Sequence, residues 1–299
     1  MLVRLGLLLL LSPLARAQGP PPNAQGAQPN LDTVTVEARR RKELEHEVDH
    51  YVDSLTGHPR GEALARWDEP ICPLVAGLPR QEGEFVLARL SQIASKAGAP
   101  LAGEKCDANL FVVLSNEPEV LLRKWWARDR RLFATHNGVG AIRTFLDTPR
   151  PVRVWYNAGV LSAEGLPASS GVTLGGLVSP TLGTSNIPTT TVHSASRLRY
   201  GAVPGLSSVI VVVDTRRLEG LNFGQLADYV GLIGLAQVRL DADPGSAPTI
   251  LRLFRAAADR PAALSPWDEA FLASLYRSEQ GSVMQLSGME HAMLDSIAR

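Results

Sequence analysis

The most specific chemistry in the chain lies in five residues, His46-Glu47-Val48-Asp49-His50, an H-E-x-x-H. On a helix the two imidazoles stand one turn apart and can reach one zinc ion. The intervening glutamate then activates the bound water as general base. One reading is therefore a zinc-dependent peptidase or hydrolase, with His46 and His50 as metal ligands, Glu47 as base and zinc as cofactor. Helical geometry favours another. Leu44, Val48, Tyr51, Val52 and Leu55 form the apolar stripe of a helix over Arg40 to Leu55. At ~100° per residue, His46 and His50 fall on the opposite, polar side. Asp49 fills a position that is ordinarily uncharged in such helices. The extended form H-E-x-x-H-x-x-G-x-x-H would need glycine at Asp53 and histidine at Thr56. His58 lies beyond Gly57, and Glu69 sits in the loop-like "RWDEPICP". The preferred reading is a solvated helix face without a resident metal.

Two further carboxylates have positions suited to chemistry. Asp214 closes the apolar run "VIVVV", and Asp228 lies on an apolar helix beside Tyr229. Together they would make a pair for general acid–base work. The alternative is preferred: Asp214 opens a turn, and Asp228 is a buried structural acid satisfied by an arginine. No G-x-S-x-G, S-x-x-K or phosphate-binding glycine loop occurs. The two cysteines, Cys72 and Cys106, are expected to form one disulfide, with two free thiols or half of a metal site as the alternative. A bridge would close a 35-residue loop, counted from Cys72 to Cys106, and contribute ~3–4 kcal/mol.

The elements that must position these groups read as a mixture. Leu31 to Glu37 alternates like a short strand. Glu82 to Ala97 is a second helix, stopped by Gly98 and Pro100. Ala108 to Ser115 is a buried strand leading into a helix with Asn116 as N-cap and Pro118 in its first turn. That helix places Leu121, Leu122, Trp125, Trp126, Leu132 and Phe133 on one side and Arg123, Lys124, Arg128, Arg130 and Arg131 on the other. A basic, aromatic face suits a membrane surface or nucleic acid, but so wide an apolar stripe suits a core helix better. Asp129 falls inside that stripe as a candidate buried charge. Val152 to Tyr156 and Val209 to Val213 are strands. Ser162 to Ser196 reads as long loops. Phe223 to Val238 is a helix opened by Asn222 with Gln225 three residues on, a capping box. Helices follow over Pro248 to Ala258, Pro266 to Ser278 behind Ser265, and Ser282 to Ala298.

The amino terminus reads as a secretory signal over residues 1–17: Arg4, the apolar run Leu5 to Leu11, then Ala15-Arg16-Ala17 for cleavage. The run is too short to span a bilayer, and no later segment is long and apolar enough. No cysteine stands at the cleavage point to take a lipid. Gln18 to Asn30 is rich in Pro, Gly, Gln and Asn, the composition of a disordered linker. Without Arg4 and Arg16 the chain keeps 28 basic against 30 acidic side chains, a net charge of about −2. Such a chain offers no electrostatic footprint for nucleic acid.

The segments "SVIVVVDTRRLEGLNFGQLADYVGLIGLAQV", "APTILRLF" and "LSPWDEAFLASLY", with "CDANLFVVLS" before them, resemble a group of uncharacterised exported proteobacterial proteins. Their layout is similar to that of a degenerate metzincin-like (zincin) domain of unknown function. If Gly234 is aligned with the motif glycine of a zinc helix, the resemblance implies that the histidine positions are Ala227 and Gly231 and the glutamate position is Asp228. Both ligands are missing there.

The expectation is an α+β fold, a mixed sheet with packed helices, in a single domain over 31–299 with subdomains at 31–150 and 151–299. The expected function is a non-catalytic binding or assembly role in the periplasm or outside the cell. Its partner would be a periplasmic protein or small ligand, without cofactor, nucleic acid or transmembrane segment. The zinc hydrolase is the alternative.

Overall fold

Val209 to Val213 lies in β6 (Ala202–Asp214), an inner strand of a four-stranded sheet ordered β1 (Pro73–Ala76), β2 (Leu110–Ser115), β6, β3 (Val152–Ser162). Strands β1, β2 and β6 are parallel. Strand β3 runs antiparallel to β6, with a register shift at Asn157/Ala158. The computed structural model describes residues 31–57, 64–133, 138–162, 169–170, 188–189, 202–255, 257–280 and 282–298. The expected signal and linker, His58, and nearly all of the Ser162 to Ser196 run lie outside them, apart from a two-residue pairing of β4 (Ser169–Ser170) with β5 (Pro188–Thr189).

Helices cover both faces of the sheet, so its parallel strands read as continuous apolar runs rather than alternating ones. Strand periodicity divides them. Val209, Val211 and Val213 enter one core with Leu110, Val112 and Leu114 of β2, while Ile210 and Val212 enter the other. The first, larger core is built with α1 (Leu31–Thr56), α2 (Arg80–Ala97), α5 (Phe223–Leu235), α6 (Pro266–Arg277) and α7 (Gln285–Ile297). The second holds Leu122 of α3 (Pro118–Arg128), Ile142 and Phe145 of α4 (Gly138–Asp147), Phe133 and Trp155. Trp125 and Trp126 pack against it, while Arg123, Lys124 and Arg128 are exposed, so α3 joins the core through its aromatic side. The structure is thus α+β, with a mixed sheet and seven helices among the described residues.

Helix α5 shows how the larger core is held. Its amino end carries the capping box, with Asn222 and Gln225 bonding each other's backbone N–H. At the carboxyl end, four carbonyls lack helical partners in any helix, and here each has one. The Ala236 N–H donates to Leu232 O, Tyr156 Oη to Ile233 O, Trp67 Nε1 to Gly234 O, and Tyr276 Oη to Leu235 O. Three aromatic donors from three other segments therefore fix where α5 stops. It ends at Leu235, three residues before the Val238 that apolar periodicity suggests.

A second junction centres on Asp268, wholly buried in the first turn of α6. Its carboxylate accepts hydrogen bonds from Tyr51 Oη (2.8 Å), Thr249 Oγ1 (2.6 Å), and the backbone N–H groups of Ile250 and Ser265 (both 2.9 Å). Burial pushes its pKa up and also raises Tyr51 well above the phenol range. One expectation changes beside Asp268. Pro248 to Ala258 is not an α-helix but two short 3₁₀ turns, Ile250–Phe254 and Ala257–Asp259. The carboxylate takes the Ile250 N–H and Thr249 Oγ1 the Leu251 N–H, which caps the first turn, and the extended Arg255 ends it after five residues.

Other expectations change for local reasons. Leu31 to Glu37 is helical, the start of α1. A lone strand there has no edge to pair its backbone, whereas the following "EARRRKELEHE" favours helix and propagates it backwards. Asn116 does not cap α3: Glu117 takes the N-cap position, and its N–H is met by Ser115 Oγ. Asp129 leaves the apolar stripe because α3 ends at Arg128, and Asp129 is an extended C-cap residue, partly buried. Cys72 and Cys106 are disulfide-bonded, with Cα atoms 5.9 Å apart.

The chain divides into Met1–Arg41, of which only the start of α1 is described, and Lys42–Arg299. The sheet of the second unit takes strands from both halves of the chain, including both sides of residue 150.

Candidate functional site

The H-E-x-x-H lies on α1 with its apolar neighbours Val48, Tyr51, Val52 and Leu55 buried and His46, Glu47 and His50 exposed. Glu47 accepts a hydrogen bond from Ser246 Oγ at 3.2 Å, and the His50 ring lies beside Gly245. Zinc needs three protein ligands and a shaped cavity. Among the described residues no group of three His, Cys, Asp or Glu could hold a metal ion. The donor set described at this motif does not fit a resident zinc.

Ala227, Asp228, Gly231 and Gly234 lie on α5, where packing accounts for the small residues. A Cβ on Gly231 would lie 2.6 Å from Cδ1 of Ile93 on α2, and one on Gly234 would lie 3.1 Å from Leu110 of β2. Ala227 is fully buried one turn before Gly231. This stretch of α5 is a close helix–helix and helix–sheet contact that larger side chains would force apart.

Asp214 and Asp228 are held separately. Asp214, 1% exposed, stands at the carboxyl end of β6 and caps the turn Thr215–Arg217 through the Arg216 N–H. Arg216 also grips it through Nε (2.8 Å) and Nη2 (2.7 Å), and Arg217 lies at 3.4 Å. The hydrogen bond from Arg216 holds its pKa below the usual carboxylate range. Arg216 also reaches Glu119 of α3 at 3.3 Å, and Glu119 takes Arg153 Nη2 at 2.5 Å. Arg153 is 2% exposed, and its Nε and Nη1 have no hydrogen-bond partner. Asp228, 2% exposed on α5, takes Arg89 of α2 and the Leu264 N–H (2.7 Å). The two aspartates share no partner. Arg89, Arg153 and Glu119 are partners that sequence reasoning missed, because the contacts span 139 and 34 residues and carry no local signal.

The structure adds a feature that no motif marked: a cleft of about 460 Å³ between α2, α6 and α7. Its walls carry small side chains, among them Ala97 of α2, Ala273 of α6, and Ala292 and Ser296 of α7. Leu264 and Pro266 supply apolar surface above the buried Ile93 and Leu272. Arg89, Lys96, Arg277 and Glu269 bring charge. Arg89 and Lys96 are two turns apart on one face of α2, and Lys96 Nζ pairs with Glu269 at 2.6 Å. A cleft of this size, lined by apolar and charged side chains together, is large enough for a small molecule. The spacing of Arg89 and Lys96 was a readable signal, but only the fold shows which face of α2 stays open.

Compared with known protein families, curated proteins and solved structures, the chain matches none of them. Among the described residues no helix is long and apolar enough to cross a membrane.

Proposed function

We propose that this chain is an exported, non-catalytic binding protein whose ligand occupies the cleft between α2, α6 and α7. The observation that carries this reading is the unfilled space itself. Here three helices oppose alanine and serine and leave a solvent-open cleft of about 460 Å³ between them, a size suited to a small ligand. Arg89 and Lys96 are set on carboxylates at this cleft, while Arg277 lines it without one among the described residues, an arrangement suited to holding a ligand. Export is supported by the signal-like residues 1–17 and by the disulfide, which persists in an oxidising compartment.

The test is native mass spectrometry of the protein produced by export without a histidine tag, beside an Ala273→Trp variant that fills the cleft. A bound small molecule on the first that is missing from the second supports the reading. A ligand-free wild type, in cell extract as well as pure, overturns it. The zinc hydrolase has the H-E-x-x-H alone in its favour. Near-stoichiometric zinc by elemental analysis, lost on His46→Ala with His50→Ala, would replace the binding reading with it.

A further inference from the structure

We infer that the cleft takes a soluble monoanionic amphiphile, a molecule with one carboxylate-type head and an apolar body; this rests on the binding reading above. The cations are of three kinds. Arg89 is fixed: its Nε and Nη2 hold buried Asp228 at 2.6 and 3.2 Å, while Nη1 makes no protein hydrogen bond and the side chain remains 36% exposed at the cleft. A guanidinium anchored this way presents its remaining N–H groups in a set direction, with little ordering left to do on binding. Lys96 is matched by Glu269 across the cleft. Arg277, in the last turn of α6, has no ion pair among the described residues. Three cations thus face two carboxylates, Asp228 and Glu269, leaving one positive charge to be met by a ligand. Apolar surface from Leu264, Pro266 and Ala273 lies in the same cleft, above the buried Ile93 and Leu272, and suits a body that leaves water. A dianion would exceed the charge available, a cation would meet repulsion, and a neutral amphiphile would gain nothing from Arg277, which water already solvates.

The experiment is calorimetric titration of the full exported protein with decanoate, decanol and decyltrimethylammonium, each below its micelle concentration. Decanoate is expected to bind one to one, at least about tenfold more tightly than either analogue, the size of one charge-assisted hydrogen bond. Arg277→Gln should weaken decanoate about tenfold and leave decanol unchanged. Arg277 is exposed, so this variant should keep the wild-type unfolding midpoint. Ala273→Trp should abolish all binding. Equal affinity for decanoate and decanol, both lost on Ala273→Trp, would overturn the anion inference and keep the cleft as a binding site. Failure of every probe, with a natural ligand still displaced by Ala273→Trp, would likewise overturn the ligand class alone. Failure of every probe with no natural ligand would overturn both. Decanoate binding unaffected by Ala273→Trp would place the anion elsewhere and overturn the inference.

Discussion

Arg89 on α2 holds Asp228 on α5 through two parallel contacts, Nε to Oδ1 at 2.6 Å and Nη2 to Oδ2 at 3.2 Å. The Asp228 side chain is 2% exposed and that of Arg89 36%. Asp228 raises the pKa of Arg89 further by this hydrogen bonding. The pair joins helices that pack closely at Gly231, and it sets the edge of the cleft.

The two ends of that pair should respond unequally to mutation. Arg89→Met would leave Asp228 buried with only the Leu264 N–H, and a stranded buried charge costs about 3–5 kcal/mol. Asp228→Asn would leave an arginine that water already reaches, at about 1–2 kcal/mol. Urea unfolding of both variants checks this; equal costs would show that the low exposure of Asp228 does not govern the pair.

The disulfide encloses β1 and α2, the crossover that makes β1 and β2 parallel. Cys72 is further tied by its N–H to Asn109 Oδ1 at 2.7 Å. The double variant Cys72→Ser, Cys106→Ser should lose about 3–4 kcal/mol. The wild type should lose the same amount on reduction. A loss much smaller in both would mean that the crossover is already fixed by packing alone.

What the sequence made legible was local. The capping box at Asn222 depends on residues three apart, the N-cap at Ser265 on one residue before Pro266, and the cores of β2 and β6 on unbroken apolar runs; all are where the spacing puts them. The stripe of α1 also holds, because Val48, Tyr51, Val52 and Leu55 repeat at helical spacing. Elements set by distant groups were not legible. Asp268 caps the turn at Ile250 from α6, and Tyr156, Trp67 and Tyr276 meet the carbonyls where α5 ends. The tryptophan, aspartate and tyrosine of "PWDEAFLASLY" all have structural work: Trp267 meets Tyr51 edge to face, Asp268 is the buried junction, and Tyr276 closes α5. The cleft was hidden for a different reason. Alanine and serine on three separate helices carry no pattern until the helices are brought together.

Gly77 has φ +85°, and a Cβ there would lie 2.0 Å from the Leu114 carbonyl oxygen, a backbone atom that cannot turn aside. Gly77→Ala should cost at least about 2 kcal/mol from conformation and clash together. Gly103→Ala, with open space around its Cβ and no positive φ, should stay within about 0.5 kcal/mol. Thermal unfolding of the two proteins, side by side, separates a general glycine effect from this contact. Similar midpoints would refute it.

Acid should destabilise the protein through Asp214 and Glu119. Arg216 lowers the pKa of Asp214, and Glu119 is lowered by its own backbone N–H and then by Arg153 and Arg216. Carboxylates depressed in the folded state contribute stability that is fully present above the ordinary range of about 4. That contribution is lost as pH falls from there through the lowered folded values. Stability should therefore decline steeply below pH about 4, and Arg216→Gln should make that decline shallower. The check is the slope of unfolding free energy against pH for both proteins. An unchanged slope would remove Arg216 from the acid response.

Arg153 provides the sharpest contrast, since it is a cation 2% exposed with one nitrogen on Glu119 and two nitrogens unpartnered. Glu119 is different: 27% of its side chain is exposed, and Arg216 holds it as well. Glu119→Gln would leave Arg153 buried without its carboxylate, at about 3 kcal/mol or more. Arg153→Met keeps the length and apolar bulk beside Trp155 and Val212, removes two unsatisfied donors, and leaves Glu119 to Arg216 and water. That exchange should be neutral within about 1 kcal/mol or stabilising. Denaturant midpoints of the two single variants and the double variant decide the matter. Adding Arg153→Met to Glu119→Gln should restore most of the lost stability, because the stranded charge is then gone. A double variant as unstable as the sum of the singles would mean that Arg153 is held by something other than Glu119.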